Sequence, residues 1–252
     1  MKIENIPFPK EYGSWGILLT SCIIGLAISG HIMRQSYLAF MGIAIIFMSK
    51  ASIGIFIRRH DKNSLIFTVV YLAIGLLLIL PALLLIDMSI IMVLLIIPLA
   101  AIIVYALSAY LHKERSSIVE FFAMAALTLP AAFFQILPVN RINMTILVIW
   151  LMVFLYFSAS IFRVKMLIFK NKTYRLANMI YLIIIVIFIY AAIHEHVMPW
   201  LVGIAFLPLI ENLVDTFRYI NKRSLKVVGV TELIKGTIFA VILILIAKNA
   251  FL

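Results

Sequence analysis

Glu211, Asn212 and Asp215 close one apolar run of the chain, and Glu232 and Lys235 open the next. Glu211 and Asp215 are four apart, so on a helix they share a face. Two acids one turn apart repel unless a cation lies between them or a basic side chain answers them. Glu232 and Lys235, three apart, can neutralise each other. Arg163 and Lys165 end another apolar run, Lys50 lies inside one, Arg58 ends it, and Lys113 sits in a polar break. Glu11 opens the first run, and Glu120 lies one turn into the fifth. Ionisable groups within apolar spans are costly and mark functional sites. The carboxylates Glu11, Glu211, Asp215 and Glu232 are therefore candidate catalytic bases. Lys50, Arg58, Lys113, Arg163, Lys165 and Lys235 are candidate anion ligands, Arg as a bidentate fork and Lys as a point charge. The plainer alternative for Lys50 and Lys165 is a stem that carries its ammonium to the lipid headgroups.

The elements that must position these groups are membrane spans. Of 252 residues 65% are apolar and 12% charged, about half the charged share of a soluble domain. A helix needs about 20 mainly apolar residues to cross the hydrocarbon core. Nine runs qualify, at 13–30, 37–57, 64–86, 88–111, 117–138, 143–162, 176–193, 197–217 and 228–250. The sequence predicts an all-α polytopic bundle forming a single domain over 1–252, with every loop short. Any site must then be built from helices and their ends.

Charge orients the bundle. Sixteen Lys and Arg residues fall in the N-terminus and the loops after spans two, four, six and eight; only Arg34, Arg141 and Lys248 fall on the other side. The positive-inside rule places the first side, and the N-terminus, in the cytoplasm of a bacterial cell membrane, with the C-terminus outside. The same rule accounts for the net charge of +11 without nucleic acid as a partner. Membrane lipids are the expected surroundings. The N-terminal residues carry acids and prolines and no small-residue cleavage pattern, so they read as mature protein. The single cysteine, Cys22, excludes an internal disulfide framework. No cofactor motif and no metal site are expected. His194-Glu195-His196 alternates its histidines, which cannot share a helical face, and reads as an outer loop.

Pro9-Lys10-Glu11-Tyr12-Gly13-Ser14-Trp15 resembles the Pro-Lys-Glu-His-Gly-x-Trp signature of YwiC-like bacterial membrane proteins, with Tyr12 in place of the histidine. Phe162-Arg163-Val164-Lys165 and the segment from Val228 to Gly236 extend the resemblance over essentially the whole chain. More distantly, nine spans with a cytoplasmic polar cavity are similar to UbiA-type intramembrane prenyltransferases. Tyr105 followed by Lys113-Glu114-Arg115 resembles the tyrosine and basic pair of their fourth span and loop. That likeness implies a prenyl diphosphate held by magnesium on two Asp-rich motifs. Here those places read Ser49 to Arg59 and Arg163-Val164-Lys165, with basic residues where the acids would stand. Magnesium requires hard oxygen ligands, whereas these cations suit a phosphate directly.

Two functions follow as expectations. The first is a UbiA-like membrane protein that binds a phosphorylated or anionic lipid, an isoprenoid phosphate for example, in a cytoplasm-facing cavity, with transfer chemistry supplied by the carboxylates. The second is a transporter or permease for a small anion or metabolite. Pro81, Pro98, Pro130 and Pro208 are candidates for breaks in its helices. A non-catalytic assembly factor is a third class.

Overall fold

The computed structural model describes Pro7, Pro9 and residues 12–111, 116–169, 172–217 and 225–251. Among these residues all regular structure is helical. The helices are α1 (Tyr12–Ile28), α2 (Arg34–Arg59), α3 (Lys62–Leu83), α4 (Met88–Tyr110), α5 (Ser117–Thr128), α6 (Pro130–Val139), α7 (Met144–Phe169), α8 (Lys172–His194), α9 (Val202–Ala205), α10 (Ile210–Phe217) and α11 (Leu225–Phe251). The protein is an all-α polytopic membrane protein.

Seven of the expected spans are helices long and apolar enough to cross a bilayer: α2, α3, α4, α5 with α6, α7, α8 and α11. The other two differ from expectation. α1 has 17 residues, about 26 Å at 1.5 Å per residue, slightly less than the hydrocarbon thickness. The stretch expected as one span at 197–217 is segmented into α9, a 3-10 turn at Leu207–Leu209 and α10. Pro208 lies in that turn, where its missing N–H and fixed φ disfavour regular α-helix. Pro130 stands at the other junction, as the first residue of α6. Pro81 and Pro98, expected as breaks, lie inside α3 and α4 without dividing them.

Boundary residues explain the hairpins. His60 ends α2 at φ 51°, and Asp61 caps α3 by accepting from the Asn63 and Ser64 amides. Asp87 takes an extended conformation between α3 and α4, and its amide donates to Asn140 Oδ1 at 2.8 Å. That bond ties two loops at one end of the bundle. α2 and α3 pack closely because neither has a side chain at Gly42 or Gly75. A Cβ built on Gly42 would lie 2.6 Å from the Gly75 carbonyl oxygen.

α7 is the central helix. Ile149, Met152, Val153 and Ala159 are fully buried, and α5, α6, α8 and α11 all pack against it. Lipid-facing side chains dominate α3, α4 and α8 instead. α7 also runs past the expected end at residue 162, to Phe169. Arg163 and Lys165 therefore lie within the helix. They can do so because each is answered by a carboxylate, which removes the cost that made them look like a helix boundary.

Candidate functional site

Arg163 is the organising residue. It projects from the last third of α7, and its side chain is 1% exposed. Such a guanidinium persists in a low-dielectric interior only if paired and fully hydrogen-bonded. Three carboxylates supply this. Asp215 Oδ2 on α10 accepts from Arg163 Nε at 2.9 Å and from Nη2 at 2.6 Å. Glu211, one turn earlier on α10, lies 2.7 Å from Nη2. Glu232 on α11 accepts from Nη1. The i, i+4 spacing of Glu211 and Asp215 thus serves to present two acids to one cation, which offsets their mutual repulsion.

Lys235 is the second cation. Its Nζ lies 2.6 Å from Glu232, one turn back on α11, and 3.6 Å from Glu211. It also donates to Asn212 Oδ1 at 2.8 Å. Both cations therefore draw on the same two acids, Glu211 and Glu232. Exposure is graded across the group. Glu211 is 34% exposed and Glu232 19%, whereas Asp215 is 3% exposed. The network thus opens on one side and is closed on the other.

Close helix approach makes the geometry possible. A Cβ on Gly236 would lie 2.8 Å from Phe157 Cε1, so the bare position next to Lys235 lets α11 come in against α7. Below the charges, Tyr156 stacks on Phe239 with ring centroids 3.8 Å apart. Beside them, Asn178 Nδ2 on α8 donates to Thr216 Oγ1 at 2.8 Å, and Thr216 donates to the Asn212 carbonyl at 2.7 Å.

Lys165, two residues beyond Arg163, points away from this group. Its Nζ lies 2.8 Å from Glu120 and donates to Ser117 Oγ at 2.9 Å, both on α5. Lys50 is half-buried and Arg58 exposed on α2, well outside the α7–α10–α11 group. Arg58 Nε donates to the Gly54 carbonyl at 3.0 Å, and the Tyr105 hydroxyl packs directly on Gly54. Glu11 and Lys113 lie outside the described residues. Trp15 Nε1 donates to the Pro9 carbonyl at 3.3 Å. His194 and Glu195 are both exposed, 3.5 Å apart.

The model of the YwiC-like protein family matches residues 8–136. The chain belongs to the YwiC-like family. No curated protein and no solved structure matches it. The match is shorter than the whole-chain resemblance read from the motifs: it contains the Trp15 motif, Lys50, Arg58, Tyr105 and Glu120, and ends before Arg163. Within the matched stretch, Glu120 pairs with Lys165 of α7, which lies beyond it.

Of the candidate residues, Arg163, Glu211, Asp215, Glu232 and Lys235 form one group, Lys165 a neighbouring pair, and Lys50 and Arg58 a separate face. Asn178, Thr216, Ser117 and Tyr156 were missed by sequence reasoning. Asn178 and Thr216 carried a signal, each being a polar residue inside or at the end of an apolar run.

Proposed function

We propose that this YwiC-like protein is a membrane carrier for a small solute, with the α7–α10–α11 network as the site that couples charge to movement. The sharing of carboxylates carries this reading. Glu232 bonds both Arg163 and Lys235, and Glu211 faces both at 2.7 and 3.6 Å. Two cations that share the same acids have alternative pairings, among which a proton or a charged ligand can redistribute them. A fixed structural pair would have one partner each. The acids of α10 also stand on a segmented span, the kind of element that carriers use to build sites within the bilayer. The excess of basic residues in the loops on this side supports a cytoplasmic opening.

The network suits this role better than direct anion binding at Arg163. An anion there would have to displace three carboxylates from a buried guanidinium. The acids are likewise engaged with cations, which favours an electrostatic role over that of a general base.

One contact favours a second reading. The Tyr105 hydroxyl and the Arg58 guanidinium meet over Gly54, with Lys50 one turn earlier on α2. This face suits the phosphate of an anionic lipid, an isoprenoid phosphate among the candidates, with transfer chemistry if an acceptor binds alongside.

Proteoliposomes on a solid-supported membrane separate the two. A step in pH between about 8 and 5 should displace charge in the parent protein, and Glu232→Gln should abolish most of that current. Absence of a current in the parent overturns the carrier reading. Retention of a lipid phosphate through detergent exchange, lost in Arg58→Ala, would then put the anionic-lipid reading first.

A further inference from the structure

The three acids of the network use their oxygens differently. Asp215 is 3% exposed, and its Oδ2 takes two bonds from Arg163. Glu211 turns one oxygen to each cation, Oε1 to Arg163 at 2.7 Å and Oε2 to Lys235 at 3.6 Å. A proton on either oxygen displaces a cation. Glu232 meets both cations through a single oxygen: Oε1 accepts from Arg163 Nη1 and lies 2.6 Å from Lys235 Nζ. Its other oxygen, Oε2, has no partner among the described residues, on a side chain that is 19% exposed.

Each cation also keeps a partner that does not depend on Glu232. Arg163 has Asp215, and Lys235 donates at 2.8 Å to Oδ1 of Asn212, a residue that is 0% exposed. Neutralising Glu232 therefore strands neither cation, whereas neutralising Asp215 weakens both bonds that its Oδ2 takes from Arg163. A metal cation needs several oxygens converging on one point, and among the described residues no three His, Cys, Asp or Glu side chains are grouped to hold one. A proton needs one oxygen. We propose that the coupling ion of the network is a proton bound at Oε2 of Glu232, and that Asn212 is the positioning residue that retains Lys235 once the proton is bound. The O–H bond forms with a proton from water, and Lys235 passes from Glu232 to Asn212 and Glu211. The charged groups facing Glu232 are Arg163 of α7, Glu211 and Asp215 of α10 and Lys235 of α11 itself. Tyr156 of α7 also abuts α11, stacked on Phe239. α1, α9 and the 3-10 turn, which pack on α11 as well, bring no charged side chain from their described residues. The coupling role rests on the carrier reading above; the proton site does not.

Infrared difference spectroscopy of the full chain in proteoliposomes reads the site, because a protonated carboxylic acid has a C=O stretch that a carboxylate lacks. Acid-minus-neutral spectra of the parent should contain a carboxylic acid band that Glu232→Gln lacks and Glu211→Gln retains. Glu232→Gln imitates the protonated form and leaves each cation its other partner, so it should fold. In Asn212→Leu, protonating Glu232 leaves Lys235 with Glu211 alone. The same band should then need a medium about 1–2 pH units more acidic, the equivalent of one hydrogen bond to a charged group. A merely structural role for Asn212 would lower stability without moving the band, and an unmoved band overturns the role given to Asn212. The proton site is overturned if the band persists in Glu232→Gln, or if a sodium step at constant pH displaces charge while no Glu232 band forms. A Glu232 band in a protein that gives no pH-step current would leave the proton site standing and remove the carrier reading alone.

Discussion

The α2–α3 hairpin and the α7–α10–α11 end are both tightly packed, but different forces hold them. At Gly42 and Gly75 two backbones meet with no side chain between them, and the contact is dispersion and shape. At Arg163 the helices meet through buried ions. Contact by shape has one solution and ignores pH and ligands. Contact by shared charge has several solutions and responds to both. A membrane protein that needed only to stand in the bilayer could use the first kind throughout, as α2 and α3 do. The proposed coupling role rests on the presence of the second kind at one end.

The largest expected effect follows from breaking the charged contact. Arg163→Met leaves Asp215 buried against apolar neighbours, with Glu211 and Glu232 beside it. Removing one member of a buried ionic group costs about 3–5 kcal/mol. Reversible unfolding in mixed micelles should show that loss, and a second substitution, Asp215→Leu, should recover part of it. If Arg163→Met unfolds like the parent, the ions do not hold this end together.

Overpacking the other contact should cost less. Gly42→Leu places a side chain where the Gly75 carbonyl lies, and forcing extra methylenes into a packed interface costs about 1–3 kcal/mol. Its penalty should be the smaller of the two in the same unfolding assay, and both should depend little on salt, because the ions are buried. A penalty for Gly42→Leu as large as that of Arg163→Met would erase the distinction.

The sequence carried much of this contrast, unevenly. Seven spans were legible because length and hydropathy alone define them. Arg163, Glu211, Asp215, Glu232 and Lys235 were legible as costly charges, and the spacing of the α10 acids called for either a bound cation or a basic side chain. Which cation was not legible, because Arg163, Lys165 and Lys235 were equivalent on charge grounds. The choice depends on helix rotation: Lys165, two residues on, faces α5 and finds Glu120 instead. The segmentation around Pro208 was also hidden, since Pro81 and Pro98 look the same in sequence and are accommodated inside helices. Proline breaks a span only where the surroundings do not re-satisfy the freed carbonyl.

Lys165 provides an intermediate case. It is 7% exposed, but its partner Glu120 is 34% exposed, so water screens part of the attraction. Lys165→Met should cost about 1–2 kcal/mol, between the values for open and buried pairs. The same unfolding assay checks it. A loss as large as that of Arg163→Met would mean that the Glu120 pair belongs to the network.

The smallest effect is expected at a charge outside the spans. Asp61 accepts from the amides of Asn63 and Ser64 and from the Ser64 hydroxyl at 2.7 Å. The Ser64 hydroxyl above all, helped by the two amides and nearby Arg59, holds its carboxyl below the ordinary range against the opposing effect of desolvation. A lowered folded value means that the charged form is the one the folded helix start prefers. The stabilisation is therefore complete above the unfolded carboxylate pKa, near 4, and is lost as pH falls through it toward the lower folded value. Hydrogen exchange in nanodiscs, expressed as protection factors for the first turn of α3, reads this directly. Protection should fall below about pH 4 in the parent. Asp61→Asn keeps a capping oxygen without the charge, so its protection should be nearly independent of pH, whereas Asp61→Ala should be less protected throughout. These changes should stop at the first turn, because the Gly42–Gly75 contact deeper in the hairpin has no charge to titrate. If acid loosened that contact as well, the hairpin would share the responsiveness assigned here to the α7–α10–α11 end alone.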